Sequence, residues 1–297
     1  MPPISAPTIR QLALIKYMFQ EGEQQSRRPS PLFVTALLSF QDAAELFLHL
    51  ACEHNQIVLK KQTQFLEYFS ALAPVGNVLH QPGMDRLNRA RVNFKHHGNL
   101  PNDGDMEFFR VTARSFFEEN SPLLFGLAFA EISLVDLVAC EKARDLLRQA
   151  QQALGAGERR AAETALALAF KALLADYRGR KRVGRTQDDL FSLGPSMSFM
   201  SSFHLGVKDR EIARFVDSTR EAIERLRDVV EILSYGLDYR KYARFNLLTP
   251  FIQFTVSGDH VVIARPGSDL TDDEYDYCFS FVIESAVKLQ EFDFTVT

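Results

Sequence analysis

The spacing of apolar residues constrains this chain more than any other feature. Between Phe33 and Glu53, the residues Leu37, Phe40, Ala44, Phe47, Leu48 and Ala51 recur every three or four positions. That is the period of one face of an α-helix. The same period predicts helices over Thr8–Phe19, Lys60–Leu72, Met84–Phe94, Asp105–Glu119, Glu158–Asp176 and Asp272–Gln290. Two longer ones are expected over Leu123–Leu154 and Lys208–Tyr242. Asn120-Ser121-Pro122 reads as a turn, and Gly155-Ala156-Gly157 as a break. Alternation of apolar residues in Phe251–Val256 and Val261–Arg265, joined through Ser257–His260, reads as a β-hairpin. The expected fold is therefore mainly α: a helical bundle over residues 1–155, then a second helical half over 156–297 that carries the hairpin.

Charge and composition narrow the function classes. The formal net charge is −4 and the pI about 6.0, so an anion-binding surface must be local, not a property of the whole molecule. Cys52, Cys140 and Cys278 are far apart and lack zinc or redox spacing. His49, His54, His80, His204 and His260 form no ligand pattern with carboxylates or cysteines, so no metal is expected. Phosphate-loop, dinucleotide-fingerprint and serine-nucleophile motifs are missing, and no cofactor is expected. The N-terminal residues lack the pattern of a secretory signal, and no apolar stretch reads as a membrane span. The expected location is cytoplasmic, without membrane association.

One segment concentrates chemistry. From Arg86 to His97 the chain carries Arg86, Arg89, Arg91, Lys95, His96 and His97 with no acid between them, and Gly98 follows. Guanidinium groups match phosphate oxygens, and imidazoles exchange protons near neutral pH. Such a pair suits attack of a ribose 2′-hydroxyl on the adjacent phosphate, with histidine moving protons and arginine stabilising charge on the crowded phosphorus. On an ideal helix, positions five apart diverge by about 140°. Arg91 and His96 therefore share a direction only if the helix unwinds before His96, which Gly98 would favour. Arg89, Asn93 and His96 already share a face, so either arginine is a candidate partner for His96. Asp42, Glu45 or Glu53 on the Phe33–Glu53 helix could orient His96 or pair with Arg91. A second basic run, Arg178, Arg180, Lys181, Arg182 and Arg185, reads as a glycine-containing loop able to contact a nucleic-acid backbone.

Arg91-Val92-Asn93-Phe94-Lys95-His96, an arginine and a histidine separated by four residues within a helical setting, resembles the motif of HEPN domains. The resemblance spans roughly residues 30–155. It implies a helical bundle that dimerises and, in many members, a metal-independent ribonuclease acting as a toxin or in antiviral defence against phage. In those members the site is shared across the dimer. By resemblance, Arg91 would bind the scissile phosphate and His96 would act as general acid or base, with Arg89, Asn93, Lys95 and His97 in support. Val92 stands where active members often carry Asn, Asp or His. RNA, a second copy of the chain, and a partner protein of a toxin–antitoxin or defence system are the implied partners. The competing expectation is a non-catalytic helical subunit of such a complex, binding protein or RNA.

Overall fold

Ser5 starts the first helix by accepting a 3.2 Å hydrogen bond from the Thr8 amide, and Pro7 occupies the first turn, where no amide donor is needed. The computed structural model describes residues 2–182, 200–254, 260–263 and 269–291, which form ten α-helices, this one included, and one two-stranded antiparallel hairpin. The chain divides into two compact units, Met1–Leu137 and Val138–Thr297.

The first unit contains α1 (Ala6–Ser26), α2 (Ala36–His54), the short α3 (Glu67–Ala71), α4 (Gln81–His97) and α5 (Asp103–Phe125). Its core is a set of interlocked phenylalanine rings. Phe47 meets Phe116, Phe117 and Phe125 edge-on at centroid distances of 5.6, 5.3 and 5.2 Å. Phe19 reaches Phe40 and Phe117 at 5.9 and 5.0 Å, and Phe129 stacks on Phe117. These contacts tie α1, α2 and α5 together through burial and quadrupole-matched ring geometry. Met84 and Leu87, both fully buried, seat α4 against the same core.

Several expected boundaries move. The first helix runs past Phe19 to Ser26, because Gln25 accepts a hydrogen bond from Ser39 on α2 and Glu23 pairs with Arg114 on α5. The Lys60–Leu72 helix shrinks to α3; of the residues before it Phe65 is buried in the core, but from a turn and not from a helix. Asn120, Ser121 and Pro122 lie inside α5 and make no turn. Asn120 is fully buried there and serves another segment: it accepts from the Leu79 amide at 2.8 Å and donates to the Leu79 and Phe116 carbonyls. The single Leu123–Leu154 helix is replaced by the end of α5, two 3₁₀ turns (Phe129–Glu131 and Leu134–Leu137) and α6 (Glu141–Gly155). Gly126, at φ +69°, terminates α5.

In the second unit α6 pairs with α7 (Arg159–Arg180) through the Gly155–Gly157 connection, so the glycines join two helices of one unit. The boundary falls at residues 137–138 for that reason, earlier than the expected 155–158. Gly236, at φ +70°, splits the expected Lys208–Tyr242 helix into α8 (Arg210–Ser234) and α9 (Tyr239–Leu248). Strands β1 (Phe251–Phe254) and β2 (His260–Ile263) pair with Phe251 opposite Ile263, so His260 belongs to a strand and not to the turn. The rest of the expected hairpin lies outside the described residues. Thr271 and Glu274 form a capping box that opens α10 (Asp272–Gln290). Phe170, Phe245 and Phe281 form the aromatic centre of this unit, with centroids 4.9–5.2 Å apart.

Among the described residues, one helical stretch, Leu32–His54, is long and apolar enough to cross a membrane by length and composition. Its buried apolar side chains, among them Leu37, Phe40, Phe47 and Leu48, fill the core of the first unit, which accounts for that composition.

Asn120→Ala is expected to cost about 2 kcal/mol in denaturant unfolding, because the Leu79 amide and carbonyl would lose a buried partner. His54 supplies a pH test. Its ring lies 5.3 Å from that of Phe125, its Nε2 is buried without a hydrogen bond, and burial lowers its pKa. A depressed folded-state pKa leaves its contribution intact above the unfolded value, about 6.5. Stability is then lost as pH falls through the folded value. Between pH 7.5 and 5, wild type should lose more unfolding free energy than His54→Gln; equal losses would contradict this assignment.

Candidate site on the basic helix

The segment Arg86–His97 lies on α4, which runs unbroken from Gln81 to His97 and ends at Gly98 in a left-handed conformation, φ +70°. The Gly98 amide closes the last turn on the Phe94 carbonyl at 3.0 Å. The unwinding before His96 that would bring Arg91 and His96 together does not occur. Gly98 caps the helix after His97 and leaves the preceding turn regular. The two side chains therefore leave α4 about 140° apart.

Each arginine of the segment meets an acid from elsewhere. Arg91, one-quarter exposed, shares the face of α4 that carries Met84 and Leu87, and its Nη2 is 3.6 Å from Asp42 Oδ1 on α2. Its Nε is buried without a hydrogen bond. The expected carboxylate partner for Arg91 on α2 is thus Asp42. Glu53 instead approaches His49, with Oε1 3.3 Å from Nε2. Arg89, three-quarters exposed, pairs with Asp85 one turn earlier at 2.7 Å. Arg86 pairs with Asp105 at 2.5 Å and lies over the Phe108 ring at 4.5 Å. The cationic run is therefore less bare than its sequence suggests, because α2, α5 and the start of α4 supply acids that the linear segment lacks. Exposed pairs of this kind are worth roughly 0–1 kcal/mol, so they yield readily to a phosphate.

Lys95, His96 and His97 differ from the arginines. All three are exposed in the last turn of α4, where cations complement the negative end of the helix dipole. Asn93 is exposed on the face that it shares with Arg89 and His96. Arg89, Asn93 and His96 form one solvent-facing line, and Arg91 stands on another side of the helix beside Asp42.

The second basic run does not form the expected loop. Arg178 and Arg180 belong to the last turn of α7. Arg178 pairs with Glu231 on α8; burial opposes its charge, but the Glu231 bond outweighs that and raises its pKa. Arg180 binds Asp176 at 3.2 Å and the Leu289 carbonyl at 3.1 Å. Lys181 is 3% exposed, with its ammonium 5.3 Å from the centre of the Tyr177 ring. These three are engaged within the unit, and Arg178 and Arg180 stand in a helix end where a loop was expected. Arg182 is exposed, and Arg185 lies outside the described residues.

Elsewhere in the second unit a small cleft of about 250 Å³ is lined by Cys140, Leu173, Asp176, Arg180 and Leu289. Its one cation is the engaged Arg180. Among the described residues no group of three or more His, Cys, Asp or Glu side chains is arranged to hold a metal ion. Comparisons with protein-family models, with curated proteins and with solved structures give no match for this chain.

Gly98→Ala should lower stability by about 1 kcal/mol. A Cβ there meets nothing within 4 Å, so the cost is conformational alone. Thermal unfolding measures it, and an unchanged midpoint would argue against the left-handed cap.

Proposed function

We propose that this chain is a metal-independent endoribonuclease acting as a homodimer, with the α4 ends of two copies facing one RNA phosphodiester. The observation that supports it is the placement of His96 and His97 beside Lys95. Two exposed imidazoles stand in the last turn of α4, with Arg91 held by Asp42 on a neighbouring side of the helix. Because Arg91 and His96 diverge on a regular helix, a guanidinium from one copy would have to meet an imidazole from the other.

The chemistry needs only these groups and the substrate. An imidazole takes the proton of the ribose 2′-hydroxyl, and the 2′-oxygen bonds to phosphorus. The bond to the 5′-oxygen breaks, and a second imidazole returns a proton to that leaving group. Arg91, with Lys95 or Arg89, stabilises the extra negative charge on the phosphoryl oxygens. The products are a 2′,3′-cyclic phosphate and a free 5′-hydroxyl. A role as toxin or antiviral defence effector would follow from such an activity.

A second reading, a non-catalytic subunit that binds a protein or RNA, is favoured by one observation: the long apolar stripe that α8 leaves exposed.

The deciding measurement is RNA cleavage with EDTA present. Wild type should cut RNA to cyclic-phosphate ends. His96→Ala and Arg91→Ala should each reduce the rate by at least about a hundredfold with unchanged helicity. Cleavage that survives both substitutions, or none by wild type on any RNA offered, rejects the proposal.

A further inference from the structure

Helix α8 is amphipathic the wrong way round for a helix that merely covers its own unit. Of its 25 residues only Ile232 is buried. The attachment to the unit comes through its polar side, where Glu231 pairs with Arg178 of α7. Upstream, the backbone amide and hydroxyl of Ser202 donate to Asp217 at 2.9 and 2.6 Å, so the preceding segment also joins the polar side. The apolar side faces outward: Ile212, Phe215, Leu226, Val230 and Leu233 are 56, 70, 62, 40 and 55% exposed.

These five residues form a straight stripe. At about 100° per residue all of them fall within an arc of roughly 60°. Ile212, Thr219, Leu226 and Leu233 recur every seven residues, with Phe215, Ala222 and Val229 between them at the complementary spacing. Thr219 interrupts the apolar series, but an exposed apolar stripe at this spacing along a helix is the pattern of one that packs lengthwise on another helix.

Two points select the occupant. First, from Arg210 to Ser234 the helix carries five arginines against four glutamates and two aspartates, near neutrality. That composition lacks the basic polar face of a helix that binds an anionic membrane surface. Second, the exposed fractions leave roughly 500–600 Å² of apolar surface on one stripe, the size of the largest patch tolerated on a monomer. Joining two such stripes buries on the order of 1,100 Å², close to the lower limit of a stable interface.

We infer that α8 is a self-association surface, along which two copies of this chain pair through the Ile212–Leu233 stripe. The surface belongs to the second unit, and its failure is separable from that of the ribonuclease proposal: a dimer through α8 that cuts no RNA leaves the inference standing, and RNA cut by a dimer that Leu226→Ala does not weaken leaves the ribonuclease standing.

Light scattering after size exclusion, with sedimentation equilibrium, tests it on the full chain at micromolar concentrations. Wild type should be a dimer. Phe215→Glu with Leu226→Glu should give a monomer with unchanged helical circular dichroism. The milder Leu226→Ala should weaken self-association roughly tenfold or more and guards against unfolding of the double variant. His96→Ala should remain dimeric. A monomeric wild type, or a dimer whose association constant is unmoved by Leu226→Ala and Phe215→Glu, overturns the inference. An assembly that forms only with another protein or with RNA overturns it equally. RNA cleavage, measured separately, reports on α4.

Discussion

The first unit depends on its phenylalanine cluster. Phe47 lies at the centre, and its edge-on contacts with Phe116, Phe117 and Phe125 fix the approach of α2 to α5, while Phe19 brings in α1. Burial of rings this large supplies the driving force, and their quadrupoles select tilted geometry over face-to-face stacking. Everything at the candidate site is carried on that cluster. Met84 and Leu87 seat α4 on it, and the rotation of α4 about its axis follows from those two anchors. That rotation sets Arg91 beside Asp42 and turns His96 outward.

This arrangement divides the labour on α4. The inner edge holds an arginine whose head group is positioned by a carboxylate of α2. The outer edge and tip hold Lys95, His96 and His97 without such partners. A regular helix keeps the two sets apart, and the Gly98 cap enforces the regularity up to His97. A single copy cannot direct Arg91 and His96 to one point in space, although Arg89 shares the His96 face. A site that used Arg91 with His96 would therefore have to be composite.

Parts of the site were legible in the linear chain and parts were not. The Arg86–His97 run, its helix and the glycine at its end could be read directly, as could a carboxylate on α2 within reach of Arg91. The neutralising acids of Arg86 and Arg89 were harder to place. Asp105 lies beyond the Gly98–Pro101 break, and Asp85 sits just outside the run. The basic run at Arg178–Lys181 misled because charge density suggests a solvated loop, whereas Glu231, Asp176 and the Leu289 carbonyl capture it in a helix end. Asn120-Ser121-Pro122 misled similarly: its turn-forming residues sit in a helix because Asn120 is needed as a buried bracket for Leu79.

The amino-acid order alone determined that this chain is mainly helical, with a short hairpin, since a period of three to four apolar residues admits no other regular structure. It also determined that α8 has an apolar stripe and α4 a basic end. Only the tertiary structure decided what covers each face: a core of aromatic rings for α2, acids for the α4 arginines, and solvent for the α8 stripe. The physical reason is that periodicity describes one helix at a time, while burial and charge pairing are properties of the neighbours that the fold brings to it.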